Sequence, residues 1–258
     1  MAKTPLGRFV WHEVMTSDVE GAKRFYADVV GWKTEPWGTD GSYTVWMSPT
    51  GPVGGCMALP EQLAGSPPFW LTYIGTPNVD DTIAKAKQLG GAVVKGPIDL
   101  PGAGRFAVMH DPDGAVFCLY TAAGPDQTNV GEPRLGEFSW HELATTSPEG
   151  ALAFYGSLVG WEKAGDFDMG PDGIYHMFGF QGIPMGGIYT RPAHAPGSYW
   201  LPYAKVADVD AAAARALAAG GASVVAPMEV PGGDRITMMT DPQGAMFALH
   251  AVGARPAA

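Results

Sequence analysis

Two histidine–glutamate pairs, His12-Glu13 and His141-Glu142, are the residues of this chain with the plainest chemical potential. An imidazole and a carboxylate adjacent in sequence offer metal donors, or a base and a proton carrier. The stretch around the first pair, residues 8–16, is rich in aromatic and β-branched side chains and predicts a strand. Successive strand residues point to opposite faces, so the two members of a pair do not both reach one site. Two readings stand for each glutamate. It orients a cationic or hydroxylated ligand or acts as a general base, or it is a structural carboxylate satisfied by backbone or a tyrosine hydroxyl. Each histidine is packed beneath a helix with a hydrogen-bond partner, or it ligates a metal in an altered arrangement.

The two pairs are one position of an internal repeat. The segment WHEVMTSDVEGAKRFYADVVGW from Trp11 returns as WHELATTSPEGALAFYGSLVGW from Trp140. About half of the positions are identical at an offset of roughly 130 residues, far beyond chance for so long a stretch. A second block, from Phe69 to Tyr120, returns from Tyr199 to His250. A whole domain is duplicated. The expected domains are residues 1–124 and 135–258, joined by a polar, Gly- and Pro-containing linker at 125–134.

The elements that must position the pairs follow in order. After the first strand, Ser17 and Glu20 have the spacing of a capping box, and Thr146 and Glu149 repeat it. The helix is expected to stop at Gly31, or Gly160 in the second copy. Strands are expected at 32–37, 42–48 and 53–59. A second set follows: a strand at 69–75, a helix at 79–89 closed by Gly90-Gly91, and strands near 91–95, 104–109 and 115–120. The last two are joined by the turn Asp111-Pro112-Asp113-Gly114, repeated as Asp241-Pro242-Gln243-Gly244, with proline supplying its fixed φ. The chain therefore reads as α+β, four βαβββ modules paired into two domains.

Further candidates recur in both copies: Trp11 and Trp140, Tyr43 and Tyr175, Tyr73 and Tyr203, Arg105 and Arg235. The tyrosines pack as core with their hydroxyls at a rim, or contact a ligand. The arginines follow Gly-rich turns and either face solvent and pair with carboxylates, or hold a ligand carboxylate or phosphate. Cys118 against Ala248 and Tyr120 against His250 differ between copies, as do Val45-Trp46 and Met177-Phe178. Two unequal binding sites are expected. A lone strand cysteine such as Cys118 is more often inert than nucleophilic.

The run Phe25-Tyr26…Val30-Gly31-Trp32 and the DPDG turn with its following strand Ala115–Tyr120 resemble the signatures of the vicinal-oxygen-chelate superfamily, which includes glyoxalase I, extradiol dioxygenases and bleomycin-resistance proteins. The resemblance covers residues 8–120 and 137–250. Its duplicated form is similar to actinobacterial tandem proteins loosely labelled hydroxylases or glyoxalase-like. It implies βαβββ pairs curled into half-open barrels, each a cup for a small molecule, with Trp11, Glu13 and Met15 toward the cup and His12 and Val14 toward the helix. It implies nothing about which reaction, because one fold hosts many. The metal ligands of the family fall here on Trp11 and Trp140, on Leu71 or Tyr73 and Leu201 or Tyr203, and on Cys118 and Ala248. Tryptophan has no lone pair to offer, so the resemblance favours no cofactor, with a divalent metal as the alternative.

A net charge of -10 argues against a nucleic-acid partner, which requires a basic face. No apolar run is long enough to cross a bilayer, and the opening MAKTPLGRFV lacks a signal-peptide core. Two cysteines without CxxC spacing predict reduced thiols in the cytoplasm. The expected protein is a monomer or weak homodimer that binds, and in one reading converts, a small organic metabolite or drug-like compound. Glu13 and Glu142 are its catalytic or anchoring candidates. The ligand-binding candidates are Trp11, Tyr43, Tyr73, Arg105, Cys118, Trp140, Tyr175, Tyr203, Arg235 and His250. The alternative is a metal-dependent lyase or dioxygenase.

Overall fold

The computed structural model describes residues 4–38, 41–124 and 131–253; residues 125–130 of the expected linker lie outside them. The first copy forms β1 (Phe9–Thr16), α1 (Val19–Val29), β2 (Lys33–Trp37), β3 (Tyr43–Ser48) and β4 (Gly51–Ala58), then β5 (Phe69–Gly75), α2 (Val79–Gln88), β6 (Ala92–Leu100), β7 (Gly104–His110) and β8 (Val116–Ala122). The second copy repeats the order with β9 (Phe138–Thr145), α3 (Pro148–Val159), β10 (Glu162–Asp168), β11 (Ile174–Phe180) and β12 (Ile183–Thr190). It ends with β13 (Tyr199–Lys205), α4 (Val209–Ala218), β14 (Ala222–Glu229), β15 (Arg235–Thr240) and β16 (Met246–Ala251). Each copy makes one open eight-stranded sheet, of order β2-β3-β4-β1-β5-β8-β7-β6 and β10-β11-β12-β9-β13-β16-β15-β14. The α+β tandem architecture is as the repeat implies.

The helix starts differ from the capping boxes. Asp18, not Ser17, is the N-cap of α1, its carboxylate accepting from the Gly21 amide at 2.9 Å. A carboxylate there also meets the positive end of the helix. In the second copy Ser147 occupies the cap position without a side-chain cap bond, and Thr146 instead donates to Asp113 at 2.7 Å. Pro148 at the first helical position fixes φ and needs no partner for an amide. The strand β6 runs to Leu100, beyond the expected residue 95, because Ile98, Asp99 and Leu100 pair with β7 after register shifts.

Compactness divides the chain along lines other than the repeat. One unit comprises residues 1–11, 71–130 and 141–200, the other 12–70, 131–140 and 201–258. In the first, α2 packs with α3 around Ile74, Phe117, Leu143, Tyr155, Leu158 and Phe178. In the second, α1 packs with α4 around Val14, Phe25, Tyr26, Trp46, Phe247 and Leu249.

Each unit is pinned by the same buried polar chain. In one, the Tyr26 hydroxyl donates to Asp241 Oδ2 at 3.0 Å and accepts from Trp70 Nε1 at 3.0 Å. In the other, Tyr155 donates to Asp111 Oδ2 at 3.2 Å and accepts from Trp200 Nε1 at 3.1 Å. The tyrosine of one copy's FY run thus meets the aspartate of the other copy's turn. Each aspartate also caps its own turn, accepting from the amides of Asp113 and Ala115, or of Gln243 and Ala245. Burial raises both carboxyl groups above the usual aspartate range.

Candidate functional site

The strands β9, β11 and β12 and the start of β13 bring four polar side chains of the second copy together. Glu142 sits beside Gly187 in the parallel pairing of β9 and β12. A Cβ at Gly187 would overlap the Tyr175 ring, so the glycine lets that ring lie flat across β12. From there the Tyr175 hydroxyl donates to Glu142 Oε1 at 2.8 Å. The neighbouring Gly186 allows β12 to approach the His141 carbonyl, where a Cβ would clash. Tyr189 stacks on Tyr175 with ring centroids 5.9 Å apart, and Tyr199 lies close enough to Tyr189 and Glu142 to feel both.

The electrostatics keep this cluster hydroxylic. Burial raises the Tyr189 phenol well above its ordinary value, and the Glu142 charge raises it further. Burial raises Tyr199 as well. These two phenols therefore stay protonated at neutral pH, near one carboxylate only 8% exposed. Such a ring of donors and acceptors with aromatic faces can grip a planar ligand that carries hydroxyl or carbonyl groups.

The first copy keeps half of this arrangement. Glu13, 4% exposed, faces Gly55 across β1 and β4. A Cβ at Gly55 would overlap the Tyr43 ring, as at Gly187. The repeat places Met57 where the second copy has Tyr189 and Phe69 where it has Tyr199. Neither carries a hydroxyl. Tyr189 and Tyr199 were not among the sequence candidates; the signal that could have found them is the replacement of Met57 and Phe69 by tyrosine in the second copy.

Other candidates lie elsewhere. Val14 joins the core with α1 residues Ala22 and Phe25, as strand alternation requires. His141 is stacked on Phe9 at 3.6 Å, with Nδ1 3.3 Å from the Met185 carbonyl. Burial lowers its pKa to about 3, so the ring is neutral. His12 stacks on Phe138 at 3.8 Å. Tyr73 and Cys118 are register partners on β5 and β8, both buried, as are Tyr203 and Ala248 on β13 and β16. Trp11 and Trp140 are half-buried on β1 and β9. Arg105 is bound by Asp80 and Asp99, and Arg235 by Asp210. The ion pairs use three N–H donors of Arg105 and two of Arg235. His250 lies between Ser139 and Asp234. Burial and the Glu13 charge push the Cys56 thiol up to about 12, which leaves it unreactive.

A divalent ion requires three or four N, O or S donors converging on a point. Among the described residues no three His, Cys, Asp or Glu side chains do so. At the positions where the resemblance places the family's ligands the chain carries Trp11, Trp140, Cys118 and Ala248.

The sequence profile of the glyoxalase/bleomycin resistance protein/dioxygenase superfamily matches residues 8–119 and again 137–249. A protein named putative glyoxylase CFP32, from Mycobacterium tuberculosis, is 32% identical over 246 residues, covering 93% of this chain and 92% of its own. The anthracycline biosynthesis protein DnrV of Streptomyces peucetius is 28% identical over 269 residues, covering 96% and 94%. Among solved structures, the Mn(II)-bound glyoxalase from Novosphingobium aromaticivorans aligns with a TM-score of 0.64 at 17% identity, covering 96% of this chain and 83% of that one. The 2,2',3-trihydroxybiphenyl 1,2-dioxygenase from Sphingomonas wittichii aligns with a TM-score of 0.66 at 14% identity, covering 98% and 91%.

Proposed function

The chain belongs to the glyoxalase/bleomycin resistance protein/dioxygenase superfamily, and from that premise we propose that it binds a small hydroxylated aromatic molecule at the Glu142 cluster without the family's usual metal. The observation that carries this reading is the Glu142–Tyr175 bond ringed by the Tyr189 and Tyr199 phenols. The carboxylate and the phenol hydroxyls are groups that accept from and donate to a ligand hydroxyl, and the stacked rings supply apolar contact. That a relative is named for anthracycline biosynthesis makes polycyclic hydroxyquinones the first ligands to test.

Glu142 anchors the ligand and has the position of a general base for a ligand O–H. The first copy, with Met57 and Phe69, binds such a ligand more weakly. Titration of tryptophan fluorescence with a hydroxyanthraquinone tests the reading. Hydrogen bonds to charged groups contribute about 1.5–3 kcal/mol, so Glu142→Gln is expected to weaken binding about 10- to 100-fold. Saturable binding that the variant leaves unchanged would overturn the assignment. A metal titration alongside separates the metal-dependent reading: ligand affinity unchanged by chelator supports ours, and affinity restored only by Fe²⁺, Mn²⁺ or Zn²⁺ contradicts it.

A further inference from the structure

We propose that Ser139, His250 and Asp234 form a nucleophile–base–carboxylate relay that accepts an acyl group from an activated ester. Ser139 Oγ lies 2.8 Å from His250 Nδ1, and His250 Nε2 lies 3.1 Å from Asp234 Oδ2. An ionised carboxylate only accepts, so Nε2 carries the ring proton and Nδ1 presents its lone pair to the serine. The serine O–H has two acceptors in reach, the Tyr203 carbonyl at 3.5 Å and His250 Nδ1 at 2.8 Å; the shorter contact aims it at a base whose cationic form the carboxylate would stabilise, the division of labour that activates a hydroxyl nucleophile. Asp234 is itself oriented, its Oδ1 accepting from the Gly253 amide at 3.0 Å. The His250 side chain is 13% exposed and that of Asp234 34%; Ser139 is half-buried. The group is sheltered yet reachable.

The scaffold does not require it. At the equivalent positions the first copy has Val10, Tyr120 and Gly104, and there the Tyr120 hydroxyl simply donates to the Ala103 carbonyl at 2.7 Å. All three functional groups are present together in one copy and missing together in the other.

In the reaction, Ser139 Oγ bonds to the ester carbonyl carbon while its proton passes to His250 Nδ1. The carbon–oxygen bond to the alcohol then breaks, and the alcohol leaves with that proton. Water, deprotonated by the same nitrogen, then bonds to the acyl carbon; the bond from that carbon to Ser139 Oγ breaks, Oγ takes the proton back from His250 Nδ1, and a carboxylic acid is released.

The test uses the full chain with an alkyl fluorophosphonate and with p-nitrophenyl acetate. The expected result is a single covalent adduct mapped by mass spectrometry to the peptide containing Ser139. Asp234→Asn should slow labelling at least about 10-fold, and His250→Tyr, the first copy's residue, at least about 100-fold. The wild-type adduct is decisive by itself if a variant fails to fold. Absence of an adduct at Ser139 in the native protein, or labelling indifferent to His250 in a folded variant, would overturn the proposal. A purely structural hydrogen-bond chain would give that outcome.

Discussion

Tyr26→Phe removes one oxygen atom and should cost a large share of the stability. The hydroxyl is 1% exposed with its residue, accepts from Trp70 Nε1 and donates to Asp241 Oδ2, each at 3.0 Å. The phenylalanine ring fills the same space, so the cavity left is small. What remains is a buried indole N–H and a buried carboxylate oxygen, each stripped of that partner. An orphaned buried group costs about 1–3 kcal/mol, giving about 2–6 kcal/mol for the pair. Domain stabilities are about 5–15 kcal/mol. Urea unfolding followed by tryptophan fluorescence reads the loss as a fall in midpoint at constant slope. Tyr155→Phe should behave alike through Trp200 and Asp111. Adding Trp70→Phe to Tyr26→Phe should cost less than the sum of the single changes, because one orphan disappears. A loss below about 0.5 kcal/mol for Tyr26→Phe, the range of an ordinary surface change, would refute the reasoning.

Two shorter predictions follow. His141 has a folded pKa depressed to about 3 by burial, so the native state binds fewer protons than the unfolded chain below about pH 6.5. Its contribution is intact above that pH and lost as pH falls toward 3, and His141→Gln should flatten the stability–pH curve between pH 6 and 4. Gly187→Ala should cost about 1–3 kcal/mol by overpacking and swing Tyr175 off Glu142, read as a changed near-UV circular dichroism spectrum. Gly124→Ala, where nothing lies within 4 Å of the new Cβ, should leave both stability and spectrum unchanged.

The elements were legible because their signals are local. Strand alternation, the helix-stop glycines Gly31 and Gly160 and the proline turns at Asp111 and Asp241 each act within a few residues, and the structure places strands and helices accordingly. Capping was misread by one residue because Ser17 and Asp18 are both good caps, and the choice rests on the chain direction entering α1. The meeting of Tyr26 with Asp241 was not legible, since 215 residues separate them and nothing local records it. Of the cluster proposed as the site, Glu142 and Tyr175 were visible in the sequence because they recur in both copies. Tyr189, Tyr199, Ser139 and Asp234 stand opposite Met57, Phe69, Val10 and Gly104, and only the folded sheet brings them beside their partners. Arg105 and Arg235 recur too, yet recurrence there reflects ion pairs to Asp80 and Asp210.

Calorimetric titration of a hydroxyanthraquinone into wild type, Glu13→Gln and Glu142→Gln tests whether the second copy's carboxylate, with its phenols, anchors the ligand. The expected result is one dominant site, weakened about 10- to 100-fold by Glu142→Gln and changed less than about 3-fold by Glu13→Gln. Equal sensitivity to the two substitutions, or none to Glu142→Gln, would contradict it.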